Sequence, residues 1–168
     1  MKRNFVKTIG GTVLAVTIIS MLTFGLVFAQ DELKSESKGG GRLEGTWDAQ
    51  VNITNCQNGN VLFSFASIAS FMQGGTSIGS TAGQPQSSRT PEHGVWRHLR
   101  GNTYGFRFKS FSFNAQNAPA GWTIVQHEVT LDSSGDSYTS IGTAEFYNPS
   151  GILVGSGCST AVGTRFEL

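Results

Sequence analysis

Two cysteines constrain this chain more than any other feature. Cys56 ends the first strand-like segment, Leu43 to Cys56 (LEGTWDAQVNITNC), and Cys158 lies in the last one. A bond between them makes the first and last strands neighbours. A sheet whose first and last strands touch is a closed barrel. Pairing is the expected state in an exported chain, where a reduced pair is hard to maintain. The bond would close a loop of about 100 residues, for which the chain-entropy model gives roughly 4–5 kcal/mol as an upper figure.

The N-terminus predicts export. Lys2, Arg3 and Lys7 form a basic start, and an apolar run from Ile9 to Ala29 follows, broken only by Gly, Thr and Ser. Val27-Phe28-Ala29 presents small or modest residues where a signal peptidase reads, so residues 1–29 are expected to be a signal peptide cleaved after Ala29. The run is long enough to serve instead as an uncleaved anchor, but the acids Asp31 and Glu32 follow it at once. A secreted or periplasmic protein with no membrane span after cleavage is the expectation. Residues 30–42 (QDELKSESKGGGR) bury nothing and read as a flexible linker. Residues 43–168 remain as the folded domain.

Removing residues 1–29 from the 168 leaves 139, enough for one domain. The leader holds three of the 12 Lys and Arg and none of the 11 Asp and Glu, so the remaining formal balance is −2. The basic residues left are scattered, which excludes a nucleic-acid surface. With 22 Gly, 12 Phe and only 14% charged residues, this is the composition of a turn-rich β protein.

The hydrophobic pattern has a period of two almost throughout. In the first strand Trp47, Ala49, Val51 and Ile53 share a face. Asn58-Gly59 is a strong hairpin signal, and VLFSFASIASFM follows as strand 2, with Phe63, Phe65, Ala69 and Phe71 on one side. Strand 3 is Thr76 to Ala82. The stretch from Gly83 to His93 holds two prolines and reads as a long loop across one barrel mouth. Strand 4 is Gly94 to Leu99 and strand 5 Thr103 to Phe113. In strand 5 Phe106 and Phe108 share one face and Phe111 and Phe113 the other, and a bulge near Lys109-Ser110 is expected to turn all four inward. Strands 6, 7 and 8 are read at Gly121 to Leu131, Ser137 to Tyr147, and from Ile152 through Cys158. No amphipathic helix is predicted. Short connections favour sequential antiparallel strands. The expected fold is an all-β, eight-stranded antiparallel up-and-down β-barrel, with a two-sheet β-sandwich as the alternative.

Gly45-Thr46-Trp47 at the start of such a meander resembles the calycin group, the lipocalins and avidins. That resemblance implies that Trp47 plugs the narrow end of the barrel and that a basic residue of the last strand, Arg165, packs on it. Lipocalins carry a helix after strand 8, and none is read here. Avidins lack that helix and start with Gly-Thr-Trp, but Asp48, Ala49 and Gln50 stand where they carry an Asn and Ser pattern. Biotin binding is therefore not implied. The chain is also similar to small exported bacterial proteins without an assigned activity.

The motifs of catalysis are absent. There is no Gly-x-Ser-x-Gly, no cysteine–histidine arrangement and no phosphate-cradling loop. His93 and His98 fall on opposite faces of an extended strand and make no metal pair. His127, on a face with Val125, Val129 and Leu131, reads as a hydrogen-bonded interior residue, or as a polar anchor in a cavity. Glu145 is read as able to face the interior, without a partner.

Aromatic side chains carry the functional expectation. Phe63, Phe65, Trp96, Phe106 and Phe108, with His127, are the candidate lining of a cavity for a small apolar or aromatic ligand. Non-enzymatic binding without a cofactor or metal leads. A barrel-type cyclase or isomerase using His127 or Glu145 is one alternative. A surface or structural interaction protein with a packed barrel is another. No oligomeric state follows from the sequence.

Overall fold

The computed structural model describes residues 42–168. The segment read as a signal peptide and all but the last residue of the linker lie outside the described residues.

Alternation of apolar and polar residues produces eight strands: β1 (Gly45–Thr54), β2 (Val61–Met72), β3 (Thr76–Thr81), β4 (Glu92–Arg100), β5 (Thr103–Phe113), β6 (Pro119–Leu131), β7 (Ser137–Tyr147) and β8 (Leu153–Arg165). Each pairs antiparallel with the next, and β1 also pairs with β8, so the sheet closes. The sandwich alternative falls, because a closed sheet has no edges. One 3-10 turn, Gln86–Ser88, interrupts the β3–β4 connection. Among the described residues no helix is long and apolar enough to cross a membrane.

Register explains the closure. Trp47 stands opposite Arg165 and Thr54 opposite Cys158. Cys56, just beyond β1, therefore reaches Cys158 across the seam, with their Cα atoms 5.2 Å apart and the disulfide formed. Such a bond persists in oxidising, extracytoplasmic compartments. The Asn58-Gly59 signal is realised as a turn with Gly59 at φ 74°, a conformation that suits glycine.

Two expectations about strands are corrected. Strand β4 begins at Glu92, not Gly94, because Glu92 and His93 pair with Gly79 and Ile78 of β3. In β5 the pairing with β6 runs unbroken from Thr103 to Ser112, and the irregularity comes between Ser112 and Phe113. No bulge forms at Lys109-Ser110, so Phe111 stays outside at 49% exposure. An outward Phe is held there by Lys109, whose Nζ lies 4.9 Å from the Phe111 ring and 4.2 Å from Trp122.

The core occupies one end of the barrel. Leu43 and Trp47 are wholly buried, and Phe71, Trp96, Tyr104, Val129, Leu131 and Tyr138 pack with them. The indole of Trp47 donates to the Leu43 carbonyl (2.9 Å) and meets Tyr138 edge-on at 5.1 Å. The Arg165 guanidinium lies 4.4 Å over the same indole. It donates to the carbonyls of Glu44, Arg42 and Gly135. One side chain thus ties the start of the domain, the β6–β7 turn and the last strand across the same end. Arg42, the last residue of the segment read as linker, also donates to the Ser133 carbonyl of that turn.

Candidate binding cavity

The other end is not filled. Apart from Phe146, the inward positions of β3, β7 and β8 along the cavity are small: Ser77 and Gly79, Ser140 and Ala144, Gly157 and Ser159. Large rings come mainly from β2 and β5. Small walls facing large ones leave a cavity of about 520 Å³, within the range of ~300–1,000 Å³ typical of small-ligand sites. Residues of the β1–β2 and β3–β4 connections, Gln57 and Gln84 among them, border it. The cavity therefore opens at the end opposite Trp47.

Five of the six residues expected to line a cavity do so: Phe63, Phe65, Phe106, Phe108 and His127. Trp96 does not. It is buried beneath the cavity, its ring 6.0 Å from both Phe71 and Tyr104 and its indole N–H donating to the Met72 carbonyl. Its inward parity was legible, but its depth along the axis depends on the register between strands, which sets it beside Phe106 and near Tyr104. Cys56 and Cys158 border the open end, whereas Trp47 and Arg165 close the far end.

His127 sits between the two regions. Its Nδ1 pairs with the Ser140 hydroxyl (2.9 Å) and its Nε2 with that of Ser159 (2.8 Å). Phe106 stacks on it at 5.2 Å and 7°. Space for the ring comes from Gly142, where a side chain would overlap the imidazole. Burial pushes its pKa down to about 4, so at neutral pH the ring is uncharged. A neutral imidazole donates at one nitrogen and accepts at the other, and the two serines satisfy both. His127 is a hydrogen-bonded interior residue whose ring forms part of the cavity wall.

Glu145 is corrected. It alternates with the inward Ala144 and Phe146, and its carboxylate accepts from Tyr147 Oη (2.9 Å). It belongs to an outer ledge where Tyr147 stacks on Trp122 at 5.6 Å. His93 and His98 do not come together with His127, and among the described residues no cluster of three or more His, Cys, Asp or Glu is arranged to hold a metal.

Sequence reasoning missed a polar group in the wall. Glu92 is 7% exposed and accepts from Arg89 Nη2 (2.9 Å), which also donates to the Ser110 hydroxyl (2.9 Å). Both charged residues line the cavity. Burial raises the Glu92 pKa, outweighing the opposing attraction of Arg89. The signal available was a Glu sharing the strand parity of Gly94 and the buried Trp96, hidden by reading the stretch as loop.

Comparisons with known proteins add little. No family model matches the sequence, and no curated protein does. The crystal structure of Rv2717c from M. tuberculosis covers 76% of this chain and 94% of its own, at 12% identity. Its TM-score is 0.38, below the level at which a shared fold can be argued.

Proposed function

We propose that this is an exported binding protein of calycin type that carries a small, mostly apolar ligand in the open half of its barrel. The observation behind this reading is the cavity of about 520 Å³ walled by Phe63, Phe65, Phe106 and Phe108. Interiors are ordinarily packed to near-crystal density, and an open apolar space of this size is what a ligand site requires. The leader supplies the route of export and the disulfide fits the destination.

An enzymatic reading has less support. His127 has both nitrogens engaged, and Glu145 points away from the cavity. The surface-interaction reading has one observation in its favour: Val61, Leu62, Ile152, Leu153 and Val154 are all more than half exposed near the open end. Its packed-barrel premise does not match the volume left inside.

Native mass spectrometry of the mature protein from its own secretion tests the proposal. Extra mass that leaves on denaturation is the expected result. Val51→Trp, which places an indole in the cavity, should abolish both that mass and the binding of Nile red, a neutral apolar dye. No bound mass and no dye binding by the unaltered protein would overturn the reading.

A further inference from the structure

Within that reading of the cavity, we propose that the Arg89–Glu92 pair selects ligands whose polar head is neutral and both donates and accepts hydrogen bonds, as a primary amide or lactam does. The pair is a built site. Arg89 Nη2 spends its hydrogens on Glu92 Oε1 and Ser110 Oγ, both at 2.9 Å. The hydrogens on Nη1 and Nε, and the lone pairs of Glu92 Oε2, have no protein partner among the described residues. Among those residues the one sealed side-chain polar atom without a partner is Glu44 Oε1. The free atoms of Arg89 and Glu92 are therefore not walled in, and both residues line the cavity. Gly79 keeps the carboxylate's place open, since a Cβ there would come to 3.0 Å from Glu92 Oε2.

Charge decides the class of head. The positive charge of Arg89 is already matched by Glu92 at 2.9 Å. An anionic head would bring an unmatched negative charge beside that carboxylate in an apolar space, and a cationic head an unmatched positive one beside the guanidinium. Unpaired charge in such a setting is costly. A purely apolar head would leave donor and acceptor desolvated without partners. A neutral amide meets both: its carbonyl accepts from Arg89 while its N–H donates to Glu92. The apolar tail then lies along the phenylalanines.

The test is calorimetric titration of the purified protein with three probes of equal chain length: dodecanamide, methyl dodecanoate and dodecanoate at pH 7. Dodecanamide should bind about tenfold tighter than the ester, as a hydrogen bond to a charged group would give, and dodecanoate should bind weakest. The double variant Arg89→Met/Glu92→Met removes both charges together and leaves neither unpaired. It should bind amide and ester alike. Equal affinity for amide and ester in the unaltered protein, a preference that survives the double variant, or dodecanoate as the tightest ligand would each overturn the head-group assignment while leaving the cavity reading intact. No binding of any probe would overturn both.

Discussion

The two ends of this barrel are built from the same alternation and come out differently. At the end where the domain starts, inward positions hold Trp47, Phe71, Trp96, Tyr104, Leu131 and Tyr138, and the space is filled. At the other end the inward positions of β3, β7 and β8 hold mostly Gly, Ala and Ser, with Phe146 the one large ring among them, and about 520 Å³ is left. Strand propensity and closure are indifferent to this choice. Side-chain volume alone divides the molecule into a part that holds it together and a part free to take a ligand.

Truncations should separate the ends most sharply. Trp47→Ala removes a wholly buried indole and should cost about 3–5 kcal/mol in chemical denaturation. Phe63→Ala, at 54% exposure on the cavity rim, should stay within about 0.5 kcal/mol while weakening ligand binding. Equal losses at both sites would break the division. Replacing Cys56 and Cys158 together by Ala should cost about 2–5 kcal/mol, read as a lower denaturation midpoint.

His127, at the boundary, gives a pH signature. Its pKa falls from 6.5 in the unfolded chain to about 4 in the native state. Between those values the unfolded chain binds the extra proton, so stability falls as pH drops from about 6.5 to about 4 and levels off below. The predicted loss is about 3 kcal/mol across that window. Glu92 acts in the opposite sense. Its raised native pKa means stability is lost as pH rises from 4.5 through the native value. Comparing His127→Gln with the unaltered protein isolates the histidine, and matching pH profiles would contradict its buried neutral state. Arg165→Met should cost about 1–2 kcal/mol, less than the loss at Trp47, from lost hydrogen bonds to carbonyls at the closed end.

Much of the closed end was legible in the sequence. The tripeptide Gly45-Thr46-Trp47, the paired cysteines and the period of two located the strands and joined the first to the last. What stayed hidden depends on three dimensions. Trp96 has the inward parity of a lining residue, but it lies at the level of Phe71 and Tyr104 and packs with them in the core. Phe111 has an aromatic's claim on the interior, yet Lys109 and Trp122 hold it outside. Glu92 lay in a proline-containing stretch and read as a loop residue, although Gly79 had left room for it in the wall. The cavity did have a trace in sequence, the run Gly155, Gly157, Ser159, Ala161 and Gly163 on one face of β8. Its meaning emerged only when that face was seen to be inward.

The most direct test is a backbone amide NMR titration of the labelled protein with dodecanamide. Shifts concentrated at Val51, Phe65, Val125 and Gly157, with little change at Leu43, Trp47 and Leu131, are the predicted result. Shifts confined to the outer ledge of Phe111, Trp122 and Tyr147, or spread evenly over both ends, would contradict the assignment of binding to the open half.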